Sequence, residues 1–230
     1  MVEDTLPKLL RRNYQRYSNK VIAMREKDLG IWQEYTWEDY YQKVKYVSLG
    51  LISLGLEWGN RVSILGETKP EAYWAELAIQ AAGGTSVGIF ADSIPSEVKY
   101  YSEHSDSKLV FAHDQEQVDK LLLIKDELPL LKKVIYWDPK GLWFYNDPIL
   151  MSFDQLIEIG KEYEKSHPGL FEQNIEKGKG SDAAMFLYTS GTSALPKAAI
   201  VSQSYMVTGG MGMSAITHLD EGDNYLACLP

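Results

Sequence analysis

The sequence has one cysteine, Cys228, so no disulfide can close within the chain, and a reducing compartment suits it. It has no basic excess. Its 23 Lys plus Arg stand against 32 Asp plus Glu, and a net charge of −9 leaves no cationic footprint for nonspecific nucleic-acid binding. The start, "MVEDTLPKLL", has neither a basic segment nor an apolar one of the kind a secretory leader needs, which makes the cytosol the expected compartment. There is no long apolar run free of polar residues. The longest uncharged stretch, Ala198 to Leu219, is long enough to cross a membrane, but its glycines and Gln203, Ser204, Thr208 and His218 point to buried or interfacial protein instead.

Metal-ligand patterns are also missing. His104, His113, His167 and His218 are too scattered to form a ligand pair and read as surface or packing residues. Asp138, Asp147 and Asp154 sit among turn-forming residues but lack the regular spacing and closing Glu of a calcium loop. No metal-binding residue is expected in the chain.

What is present is ample apolar content, 45% of residues, for a buried core. Thr36 followed by Asp39 in "TWEDYYQKVKYVSLGLISLG" has the form of a capping box, and Trp37, Tyr41, Val44 and Leu51 recur at helical spacing up to a stop at Gly55. Short runs rich in β-formers follow: "RVSIL" at Arg61, "TSVGIF" at Thr85, "KLVFA" at Lys108 and "KVIYW" at Lys133. Helix-like segments lie between them, beginning at Pro70, Pro95 and Gln115. Alternation at this period predicts an α/β fold, a layered parallel sheet with right-handed crossovers and flanking helices. The helix from Pro70 is apolar nearly all round and is expected to be covered on both sides.

From Asp138 the pattern loosens into turns, then an acidic helix is expected from Phe153 to Lys165. "HPGLFEQNIEKGKGSD" reads as a solvated connector. "AAMFLY" from Ala183 and "AAIVS" from Ala198 read as strands too close in sequence for a helical crossover, so they should pair antiparallel around a long loop. The expected organisation is an α/β portion over residues 1–170, then a loop hairpin and the start of a second sheet subdomain over residues 171–230.

That loop lies within "LYTSGTSALPKAAIVSQ", Leu187 to Gln203. Small residues let an anion approach backbone N–H groups, hydroxyls add neutral donors, and Lys197 adds one mobile positive charge. It is not a Walker A loop, because Pro196 and Ala198 stand where that motif has Gly before the Lys and Ser or Thr after it. From the residues alone, a phosphate-binding loop and a polar hairpin turn both remain open.

Here the sequence resembles the adenylate-forming, or AMP-binding, superfamily, whose phosphate loop usually reads Y-T-S-G-T-T-G-x-P-K-G. Tyr188, Thr189, Ser190, Gly191, Thr192, Pro196 and Lys197 match in order. "RVSILGETKPEAYWAELAIQAAGG" and "DPKGLWFYNDPILMSFDQL" extend the likeness to the N-terminal part of bacterial long-chain fatty-acid CoA ligases. The resemblance implies that a fatty acid is activated with ATP and Mg2+ as an acyl-adenylate and passed to coenzyme A, with Thr189, Ser190, Gly191, Thr192, Ser193 and Lys197 on the ATP phosphates. Ala194 and Ala198 replace glycines of the pattern, and Gln203 replaces a common His. The family's later motifs would follow Pro230, so the chain is expected to be an N-terminal fragment, inactive by itself, of a cytosolic or peripherally membrane-associated enzyme. The resemblance leaves room for another acyl acceptor, or for a non-catalytic interaction protein that keeps the fold.

Overall fold

The computed structural model describes residues 3–189 and 195–227. Its centre is a seven-stranded sheet built from β3 (Arg61–Leu65), β4 (Thr85–Ile89), β5 (Leu109–Ala112), β6 (Lys133–Tyr136), β7 (Leu150–Ser152), β8 (Ala183–Thr189) and β9 (Lys197–Ser202). The spatial order is β7-β6-β5-β3-β4-β8-β9, and every pair is parallel except β8 with β9. The strands expected from β-former runs therefore appear within a residue of their expected starts.

Helices cover both faces. The chain leaves β3 through α3 (Pro70–Ala81) to β4, then doubles back through α4 (Pro95–His104) to β5 on the other side of β3. Right-handed crossovers running in opposite directions put their helices on opposite faces. Hence α3 packs with α1 (Leu6–Tyr17), α2 (Trp37–Ser53), α6 (Phe153–Ser166) and α7 (Leu170–Lys177) over one apolar core, while α4 and α5 (Gln115–Ile124) bury Val98, Val118 and Leu121 in the other. Covered on both sides as expected, α3 buries Trp74, Ala75, Ala78 and Ile79.

The local signals behave as their chemistry requires. Asp39 N–H donates to Thr36 Oγ1 at 3.1 Å, Thr36 N–H donates to Asp39 Oδ2 at 2.8 Å, and α2 starts at the next residue. Past its end Gly55 takes φ +88°. Midway, α2 meets α6 at two glycines: a Cβ on Gly160 would lie 1.8 Å from Tyr46 O, and one on Gly50 2.5 Å from Leu156 O. Only glycine permits so close a crossing.

Three features depart from expectation. The segment read as a solvated connector contains α7, which buries Phe171 and Ile175 against α1, α2 and α3. One i, i+4 apolar pair in an eight-residue helix is too little periodicity to read. An unexpected hairpin, β1 (Ile22–Asp28) with β2 (Ile31–Thr36), stands apart from the main sheet and turns at Leu29 and Gly30, both at positive φ. Lastly, the uncharged stretch after Ala198 forms β9 and α8 (Gln203–Thr217), of which only Gln203 and Val207 in the helix are buried. Met211 and Met213 are exposed, so the burial offered as one reading of this stretch is not found there among the described residues. No described helix is long and apolar enough to cross a membrane.

Candidate functional site

Because β4 and β5 flank β3 and are reached by crossovers on opposite faces, the chain creates a crevice at the carboxyl ends of these strands, where open α/β sheets bind ligands. A cleft of about 600 Å³ lies there, walled by Gly66 and Glu67 after β3, Ile89 and Phe90 at the end of β4, and Leu187 and Tyr188 of β8. The charge-bearing side chains among its described lining residues are Glu67, Glu76, Asp92 and Glu97, with no Lys or Arg. A polyphosphate would be repelled from this interior.

The phosphate-loop candidate rises beside it. Thr189 and Lys197 are cross-strand partners, and Thr189 Oγ1 donates to Lys197 O at 3.4 Å, so the chain leaves and returns at one point. Lys197 is exposed and makes no ion pair among the described residues. Ser190, Gly191, Thr192, Ser193 and Ala194 lie outside the described residues. The structure thus confirms the antiparallel stem and brings Thr189 and Lys197 together at the rim of the cleft.

Both stems touch α4. Tyr100 Oη donates to Pro196 O at 2.7 Å, and His104 Nδ1 lies 2.8 Å from Tyr188 Oη, the donor being set by the His104 tautomer. The Tyr188 ring also sits 4.5 Å from that of Tyr101, centroid to centroid. Burial, with smaller contributions from Tyr100 and Tyr101, pushes the Tyr188 hydroxyl up to about 12, so it keeps its proton at neutral pH.

Behind the cleft runs a directional chain of amides. Leu6 N–H donates to Gln203 Oε1 at 2.9 Å, Gln203 Nε2 donates to Gln80 Oε1 at 2.9 Å, and Gln80 Nε2 donates to Glu76 Oε1 at 3.2 Å. Since Leu6 can only donate, it fixes the orientation of both amides and leaves an N–H pointing at Glu76. By accessible area Glu76 is half-buried, its open side being the cleft, but protein atoms crowd its carboxyl enough that burial raises its pKa, partly offset by the Gln80 hydrogen bond.

Nothing local in the sequence marks Tyr100, His104 or Gln80, because their partners lie 84 to 123 residues away, and Glu76 enters the chain only through Gln80. For Gln203 the warning was its departure from a resembled pattern. Of the remaining histidines, His113 stacks on Trp137, His167 stacks on Tyr163, and His218 is exposed at the end of α8. Asp147 pairs with Lys125 and Asp138 with Lys140. Among the described residues no group of three or more His, Cys, Asp or Glu is placed to hold a metal ion.

The chain is similar to the long-chain-fatty-acid–CoA ligases ACSBG2 of Xenopus laevis (28% identical over 198 residues, 86% of this chain and 26% of the relative) and ACSBG1 of Mus musculus (30% over 190 residues, 82% and 25%). It is likewise similar to the long-chain-fatty-acid–CoA ligase FadD15 of Mycobacterium bovis (28% over 203 residues, 87% and 32%). It spans about a quarter to a third of the length of these curated relatives. Among solved structures it is similar in fold to the anthranilate CoA ligase AuaEII in complex with anthranoyl-AMP, with TM-score 0.71 at 20% identity, covering 91% of this chain and 37% of that one. A fatty acyl-adenylate ligase from L. pneumophila, in complex with acyl adenylate and pyrophosphate, matches with TM-score 0.68 at 17% identity, covering 95% and 34%. The family model described as AMP-binding enzyme matches residues 10–230, taking in the sheet, the cleft and both stems of the hairpin, and the chain belongs to that family.

Proposed function

We propose that the chain contributes the phosphate-loop region of an AMP-forming ligase that activates a long-chain fatty acid with ATP and transfers the acyl group to coenzyme A. The observation that carries this is the placement of Lys197: an exposed cation at the neck of a hydroxyl-rich hairpin, on the rim of a switch-point cleft whose own charges are all negative. Adenylation makes pyrophosphate the leaving group as the fatty-acid carboxylate attacks the α-phosphorus. A catalyst of this step works by positioning and by stabilising charge that moves onto the departing oxygens.

In this reading Thr189, Ser190, Gly191, Thr192, Ser193 and Lys197 hold the β- and γ-phosphates. Lys197 supplies charge and the hydroxyls supply neutral donors. The acidic cleft keeps the polyphosphate at the rim, so the nucleotide takes up one orientation. Mg2+ bound with ATP would neutralise phosphate charge; the described residues offer no ligand cluster for it, and its ligands in this reading lie elsewhere.

Because the chain spans only a quarter to a third of its relatives' length, the test is ATP–pyrophosphate exchange by a purified full-length ligase that carries this chain, with and without a long-chain fatty acid, followed by AMP release with and without coenzyme A. Exchange that requires fatty acid and AMP release that requires coenzyme A are expected. Exchange without coenzyme A dependence of the second step would move the reading to another acyl acceptor, and no exchange would overturn it.

A further inference from the structure

The geometry points to α4 as a brace for the phosphate hairpin, with Tyr100 and His104 as positioning residues that hold its paired stems in place for ATP. This rests on the adenylation reading above for the identity of the ligand. The stems pair with each other through the β8–β9 ladder, but among the described residues no strand on either side supports their far end. The parallel ladder between β4 and β8 pairs Ser86 with Met185 and Val87 with Phe186, and the chain from Leu187 onward extends past it. On the other side β9 is the edge strand, with Ile200 two-thirds exposed.

At this point α4 takes over. Tyr100 and His104 are one helical turn apart and so share a face. Tyr100 donates its hydroxyl to the carbonyl of Pro196, the residue before Lys197, while His104 meets the hydroxyl of Tyr188, the residue before Thr189. One anchor thus lies one residue before the pair that closes the loop, at Tyr188, and the other one residue inside the loop, at Pro196. The rings fill the space between: Tyr100 lies 5.5 Å from His104 and 6.3 Å from Tyr188. The ladder sets the distance between the stems, and one helix that holds both sets where the pair sits beside the cleft, and with it where Lys197 and Thr189 meet a phosphate. Preorganisation of this kind removes ordering that would otherwise be charged against ATP binding.

The test uses variants that keep the packing. Tyr100→Phe loses only the hydroxyl. His104→Leu loses the polar contact, and His104→Asn restores a polar atom near the position of Nδ1. Amide hydrogen exchange over the stems should speed up by about two- to tenfold in Tyr100→Phe and His104→Leu, the worth of one net hydrogen bond, and recover in His104→Asn. In pyrophosphate exchange the KM for ATP should rise by a similar factor while the KM for fatty acid and the thermal midpoint stay put. Unchanged exchange in the stems would overturn the brace. A parallel rise in both KM values with a lowered midpoint would also overturn it, leaving the residues a role in folding alone. If the unmodified protein shows no fatty-acid-dependent exchange, the adenylation reading falls, and hydrogen exchange still decides whether α4 braces the hairpin.

Discussion

Replacing Gln203 should break a connection between three helices, and its cost can be worked out from the structure. Gln203 is 4% exposed and its amide is used at both ends, accepting from Leu6 N–H and donating to Gln80 Oε1. Leucine fills nearly the same volume but makes neither bond. Orphaning a buried donor or acceptor costs about 1–3 kcal/mol. Gln80, 6% exposed, should incur this in full, whereas Leu6 is half-buried and its N–H can recruit water. Gln203→Leu should therefore destabilise the protein by about 1–3 kcal/mol, read as a shift of the urea midpoint without a change in slope.

Two further substitutions at this position separate the chemistry from the packing. A neutral imidazole carries one acceptor and one donor nitrogen, so Gln203→His can preserve the direction of the chain and should cost less than the leucine variant. Gln203→Glu can still accept from Leu6 but cannot donate to Gln80, whose amide would have to turn and present its oxygen to Glu76. That variant should push the Glu76 carboxyl higher still. A leucine variant within about 0.5 kcal/mol of the original, the range of substitutions that touch nothing important, would refute the reasoning.

Lys197→Ala should lower kcat/KM for ATP by about 10- to 150-fold, the value of a charge-assisted hydrogen bond, with the fold intact by circular dichroism; an unchanged ATP dependence would remove Lys197 from the site. Gly160→Ala should destabilise by about 2 kcal/mol in urea, because a methyl 1.8 Å from Tyr46 O forces α2 and α6 apart at a cost that exceeds the gain of about 1 kcal/mol in helix propensity. Equal or greater stability would refute it. Glu76 has a folded pKa above its ordinary 4.5, so its contribution to stability is fully present below that value and is lost as pH rises through the folded pKa. Glu76→Gln should therefore be more stable than the original at neutral pH, with the difference shrinking in acid; a constant difference across pH would show that burial does not raise this carboxyl.

The elements of this fold were legible because each is specified by neighbours in sequence. Thr36 and Asp39 cap α2 from three residues apart, Gly55 ends it, and the runs at Arg61, Thr85, Leu109 and Lys133 have the β-branched content of strands buried on both faces. The hairpin stem was legible too, since seven residues between Thr189 and Lys197 cannot make a crossover. What escaped was α7, whose two buried side chains acquire meaning only from the helices they touch, and the β1–β2 hairpin, whose faces are largely exposed.

The sequence by itself determined the parallel α/β framework and the antiparallel hairpin stem, because strand period, caps and the short spacing from Thr189 to Lys197 are local information. Tertiary structure alone decided the order of the strands, and therefore where the crevice opens. It also decided that Tyr100 and His104 meet Pro196 and Tyr188, and that Gln203 and Gln80 connect Leu6 to Glu76. The physical reason is common to both: a hydrogen bond between residues a hundred positions apart leaves no spacing to detect, and its partners are named only when the helices close over the sheet.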